Sequence, residues 1–122
     1  MTKMLRAIPV LPSTNVAESL AFVRDTLGFK CWTWDDPPTY GGAALDGAEL
    51  HFSSTDRKEI CAWTSCRVDV DDVQAIYERA KAAGVVHPNG DLGDKPWGYR
   101  EFAVLDPAGI LITFGQDIDE KD

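Results

Sequence analysis

Two stretches decide the fold: Asn15-Val16-Ala17-Glu18-Ser19-Leu20-Ala21-Phe22-Val23-Arg24-Asp25-Thr26-Leu27-Gly28 and Asp72-Val73-Gln74-Ala75-Ile76-Tyr77-Glu78-Arg79-Ala80-Lys81-Ala82-Ala83-Gly84. In the first, Val16, Leu20, Val23 and Leu27 recur at the spacing of one helical face. Ser13, Thr14 and Asn15 offer N-caps, and Gly28 stands where a left-handed C-terminal stop is needed. In the second, Val73, Ile76, Tyr77 and Ala80 share a face behind an Asp71 or Asp72 cap, and Gly84 closes it. The spacing therefore predicts two helices in equivalent places.

Working outward from each helix gives the same order of strands. The first half reads as strand 5–11, helix, then strands 29–34, 42–45 and 48–53, with Asp46-Gly47 as the hairpin turn between the last two. Pro9 interrupts the opening strand, which places that strand at an edge, a bulge or a crossover between bodies. The second half reads as strand 62–70, helix, a turn-rich loop 88–96, and strands 99–105 and 110–114 joined by Asp106-Pro107-Ala108-Gly109. A unit of about sixty residues that appears only twice is a duplicated module and not a solenoid repeat. The expected fold is α+β: two βαβββ modules, about 4–57 and about 58–116, forming a cupped mixed β-sheet within one domain, 1–122, that ends in an acidic tail, 117–122.

Composition narrows the function. Across 122 residues, 44% are hydrophobic and 26% charged, ordinary for a globular domain large enough to fold without disulfides, and no apolar run is long enough to span a bilayer. The N-terminus lacks the apolar core of a signal peptide, so a cytoplasmic protein is expected. The formal charge of -8 disfavours nucleic acid and anionic membranes and favours cationic ligands. Cys31, Cys61 and Cys66 are an odd number without CxxC spacing, which reads as buried small hydrophobes and neither as a disulfide framework nor as a zinc site.

Three segments carry a resemblance that covers essentially the whole chain: Ala7-Ile8-Pro9-Val10-Leu11, Leu27-Gly28-Phe29, and Lys95-Pro96-Trp97-Gly98-Tyr99-Arg100-Glu101-Phe102 leading to Asp106-Pro107-Ala108-Gly109. Together they resemble the vicinal oxygen chelate (glyoxalase) superfamily, and most of all its bleomycin-resistance branch. The resemblance implies a homodimer that exchanges its first strand, with Pro9 as the hinge. It also implies clefts that sequester bleomycin-type glycopeptides without modifying them.

Catalytic members of the superfamily hold a divalent metal on the first and last strands of each module. Seven residues before Asn15 and Asp72 stand Ile8 and Ser65, and the last-strand positions, aligned through Phe52 and Phe114, are His51 and Thr113. Three of those four are poor ligands, and the chain has only two histidines, His51 and His87, whereas a zinc or iron site usually needs about three such groups. No metal, no cofactor and no catalytic residue is therefore expected. The alternative is a divergent glyoxalase-like, metal-dependent lyase with an unusual site around His51.

The cleft's chemistry is read from its aromatics. Trp32 and Trp34 alternate onto one face of the second strand, and the segment through Asp35, Asp36 and Tyr40 joins rings to carboxylates, a mixture suited to a planar heteroaromatic cation. Trp63, on the expected first strand of the second module, reads as closer to the core but belongs to the candidate set. Trp97, between Pro96 and Gly98, has few core neighbours in sequence and suits a contact role. Within the resemblance, Tyr40 and Trp97 match stacking aromatics and Ser53 matches a cleft serine, while Tyr99 and a two-proline insertion after Trp34 depart from the pattern. His51, Ser65, Arg67 and Glu101 complete the expected polar lining.

Overall fold

The computed structural model describes residues 1–119. The first module comprises β1 (Val10–Ser13), α1 (Val16–Leu27), β2 (Lys30–Thr33), β3 (Tyr40–Leu45) and β4 (Ala48–Ser54). The second comprises α2 (Lys58–Ala62), β5 (Ser65–Asp69), α3 (Val73–Ala82), β6 (Gly93–Asp94), β7 (Tyr99–Leu105) and β8 (Leu111–Asp117). Each module has one four-stranded mixed sheet, ordered β1-β4-β3-β2 and β5-β8-β7-β6. The internal symmetry is exact at the level of pairing: β1 runs parallel to β4, β5 runs parallel to β8, and the remaining pairs are antiparallel.

The helices form where the apolar spacing puts them. The Asn15 side chain accepts the Glu18 N–H at 3.0 Å, and the Asp72 side chain accepts the Ala75 N–H at 3.2 Å, each satisfying a donor that the first helical turn leaves open. Gly28 takes φ 85°, the left-handed stop that a side chain would strain. Val16, Leu20, Val23 and Leu27 from α1 and Val73 and Ala80 from α3 join Leu50, Phe52, Phe102, Ile112 and Phe114 from the sheets in one core spanning both modules. The Phe102 and Phe114 rings, directly opposed on β7 and β8, stack at 5.5 Å.

The turn Asp106-Pro107-Ala108-Gly109 ties the two modules together. Asp106 is buried, and its Oδ1 accepts the N–H groups of Ala108 and Ile110, both at 2.9 Å. Its Oδ2 accepts the Ser19 hydroxyl, on the far module's helix, at 2.5 Å. A carboxylate only accepts and each hydroxyl has one proton, so Ser13 must donate to the Ser19 oxygen at 2.7 Å, while Ser13 accepts the Asn15 N–H at 3.1 Å. The result is a one-way chain of three donors, the Asn15 N–H and the Ser13 and Ser19 hydroxyls, that crosses the module boundary and ends on the Asp106 carboxylate.

Two expected strands are corrected. The first strand begins at Val10, not at residue 5: Pro9 has no N–H to give the ladder, and only its carbonyl joins, accepting the His51 N–H at 3.0 Å. The stretch expected as strand 62–70 opens instead with the short helix Lys58–Ala62, whose buried residue is Cys61, and the strand starts at Ser65. Trp63 consequently falls at that helix's C-terminal end, 83% exposed, and not near the core. β8 runs on through Asp117, which the reading of the sequence assigned to the tail; Glu120 and Asp122 lie outside the described residues. No helix among the described residues is long and apolar enough to cross a membrane.

Candidate functional site

Alternation along β4 sends Leu50 and Phe52 into the core and Glu49, His51 and Ser53 to the opposite face. Register then assembles a row across the sheet, because Trp32 lies opposite Gly42, and Gly42 lies opposite His51. Gly42 has no side chain, and the Trp32 indole occupies that space: a Cβ there would stand 2.4 Å from the ring. Seated so, the indole meets His51 edge-on at 5.2 Å and tilts against Tyr40 at 6.2 Å, while remaining 43% exposed. Tyr40 and His51 are themselves edge-to-face at 5.4 Å. Three rings thus form a platform open on one side.

Behind the platform runs a polar chain. Tyr40 Oη and His51 Nδ1 are 2.6 Å apart, His51 Nε2 and Glu49 Oε2 are 2.6 Å apart, and Arg6 Nη2 lies 3.3 Å from Glu49 Oε1. The hydrogen bond from His51, with Arg6 adding to it, holds the Glu49 carboxyl below the usual carboxylate range.

The second sheet carries its own cluster. Arg67 Nη2 donates to Oε2 of the buried Glu101 at 2.9 Å, and the guanidinium lies 5.4 Å above the Tyr99 ring. Gly115 lies beneath both, since a Cβ there would come within 3.0 Å of Arg67 Nη2 and of Tyr99 Cδ2. Glu101 is the carboxylate that keeps the half-exposed Arg67 oriented.

The other expected residues fall less tightly. Trp34 is 80% and Trp97 59% exposed, and Ser65 is exposed on β5. Gly98 is buried at φ 85°, against the Asp119 carboxylate. Asp35 is engaged in shaping its own loop: its carboxylate accepts the Thr39 N–H at 2.7 Å and the Thr39 hydroxyl, contacts that lower its pKa. Asp36 is exposed beside it. Glu49, Arg6 and Gly42 are not among the residues expected to line the cleft; period-two alternation with His51 and Ser53 is the signal in the sequence that puts Glu49 on their face.

Among the described residues no three His, Cys, Asp or Glu side chains gather as a metal site. Burial pushes the Cys66 thiol up to about 11, so it stays protonated at neutral pH, and Cys61 is fully buried. A cavity of about 790 Å³ lies between the β3–β4 hairpin and the end of β5, lined by Glu49 of the polar chain and Arg67 of the second cluster together with Ala7, Pro9, Asp46, Asp69 and Asp71.

A duplicated module with paired mixed sheets, outward-facing aromatic and charged clusters and a module-bridging Asp-Pro-Ala-Gly turn defines a known class. The chain belongs to the glyoxalase/bleomycin resistance protein/dioxygenase superfamily, whose model matches residues 7–114. Within it, the chain is 32% identical to bleomycin resistance proteins of Geobacillus stearothermophilus and Staphylococcus aureus, over 94% of this chain and 98% of theirs. It is 34% identical to the bleomycin-binding protein of bleomycin-producing Streptomyces verticillus, solved with copper(II)-bleomycin, at a TM-score of 0.80 over 93% of this chain and 97% of that one. A bleomycin resistance determinant encoded on the transposon Tn5 shares the fold at a TM-score of 0.79 and 24% identity, covering 93% of this chain and 98% of its own.

Proposed function

We infer that this protein binds a bleomycin-type cationic, aromatic antibiotic and sequesters it without modifying it. The carrying observation is the open platform of Trp32, Tyr40 and His51, backed by Glu49, in a chain so similar to a protein solved with copper(II)-bleomycin. Flat heteroaromatic rings stack on such faces, and the net charge of -8 draws a cationic tail toward them. Trp34, Asp36, Ser53 and Trp97 supply further contacts around the rings. Arg67, Tyr99 and Glu101 form the facing wall, with Ser65 and Gly98 at its margins.

Two results test this reading. Drug incubated with the protein and then released by denaturation is expected to return with its mass unchanged, whereas a mass shift would make the protein an enzyme. Affinity is expected to fall as salt is raised from about 0.05 to 0.5 M, because the Debye length shrinks from about 14 to 4 Å. A flat response would remove the carboxylates from ligand recruitment.

The facing wall comes from a second copy in this reading. Residues 1–9 contain no helix or strand and expose Met1, Met4 and Leu5, while β1 covers β4 only from His51 onward. The cavity beside Ala7 and Pro9 lies along the uncovered part of β4, where an exchanged arm hinged at Pro9 adds naturally. Light scattering should return twice the chain mass, and removal of residues 1–8 should shift it to the monomer; a full-length monomer would refute the exchange.

A further inference from the structure

The polar chain beneath the platform has a direction. Glu49 is held ionised by its partners and can only accept, so the proton between Glu49 and His51 sits on Nε2. An uncharged imidazole with its proton on Nε2 presents a lone pair at Nδ1, and the Tyr40 hydroxyl therefore spends its single proton on His51. What Tyr40 then offers to the cleft is lone pairs alone. If the ring takes up a second proton, Nδ1–H becomes the donor, Tyr40 Oη becomes the acceptor, and the Tyr40 proton must turn outward.

We propose that Glu49 and His51 are positioning residues that fix the Tyr40 hydroxyl as a pure acceptor, selecting ligands that bring an N–H donor and releasing them when His51 is protonated. The proposal rests on the ligand-binding reading above and deepens it by assigning the polar specificity of the platform. The charged groups around His51 are few. Glu49 and Tyr40 touch it, Arg6 of the arm reaches it through Glu49, and on β2 Lys30 lies in register with Ala44, opposite Glu49. The facing residue on β1 is Val10, which carries no charge. Protonation adds a positive charge beneath a site that draws cations and reverses the hydrogen bond at Tyr40, so both effects act in the same direction.

The test has one arm without ligand and one with it. In the free protein, ring nitrogen NMR should show the uncharged His51 ring as the Nε2–H tautomer, with Nδ1 losing its hydrogen-bond partner in Tyr40→Phe; an Nδ1–H tautomer would overturn the proposal outright. With metal-free bleomycin as the probe, the affinity ratio of the unaltered protein to Tyr40→Phe is followed across the pH span in which the ring-nitrogen NMR shows His51 taking up its second proton. The drug's own titration enters both proteins and cancels in the ratio. The ratio should be about tenfold at the alkaline end, the worth of one charge-assisted hydrogen bond, and fall toward one as the NMR titration shows His51 gaining its proton. His51→Asn, which has no titrating ring, should flatten that pH dependence. A ratio that ignores pH while the unaltered protein binds overturns the proposal and leaves the binding reading intact. No binding by any of the proteins overturns the binding reading and the ligand half of the proposal, and the NMR arm still decides the tautomer.

Discussion

Asp106→Ala is expected to destabilise the protein by about 4 kcal/mol, measured as a lower urea midpoint at unchanged slope. The substitution strips two backbone N–H groups and the Ser19 hydroxyl of their acceptor at a buried position, and each such group left without a partner costs about 1–3 kcal/mol, reduced where water can enter. Asp106→Asn separates the two halves of the loss. Its oxygen can still accept the Ala108 and Ile110 N–H groups, but an amide facing Ser19 must donate, so Ser19 turns its proton onto Ser13, which already accepts the Asn15 N–H and loses the acceptor for its own proton. A smaller loss, about 1–2 kcal/mol, is expected there. If both variants matched the parent, the turn would be a local feature and not the clasp between modules.

Trp32→Ala is expected to weaken binding of metal-free bleomycin about thirtyfold, roughly 2 kcal/mol, with little change in stability, because the indole is 43% exposed and its outer face is the one a ligand would use. Gly42→Ala should reproduce much of this loss with Trp32 still present, since its Cβ would fall inside the space the indole occupies and push the ring off His51. Tryptophan fluorescence titrations on both variants measure the effect. An unaltered affinity in Trp32→Ala would exclude the platform as the stacking surface and move attention to Trp97.

How far the sequence could be read depended on the range of the interactions. Helices α1 and α3, their caps and the Gly28 stop depend on neighbours within a few residues, and the apolar spacing exposed them directly. The pairing of β3 with β4 followed from alternation and the Asp46-Gly47 turn. The start of β1 and the helix Lys58–Ala62 were not legible, since the first turns on how Pro9 leaves the ladder and the second is held by tertiary contacts such as the Cys61 thiol donating to the Pro12 carbonyl at 3.3 Å. In the site, Trp32, Tyr40 and His51 were recognisable as residues, but their meeting requires the register across three strands and the empty place at Gly42. Asp35 shows the reverse case: a carboxylate beside aromatics looks like a cation trap in sequence, while in the fold it is occupied in closing a loop on Thr39.

Under the proposed reading, the Trp32, Tyr40 and His51 platform captures a cationic aromatic drug. The most direct measurement is a calorimetric titration of metal-stripped protein with bleomycin, repeated with its copper(II) complex. Saturable binding near one drug per chain, accompanied by quenching of tryptophan fluorescence, is the expected result. No heat and no quenching with either form would contradict it.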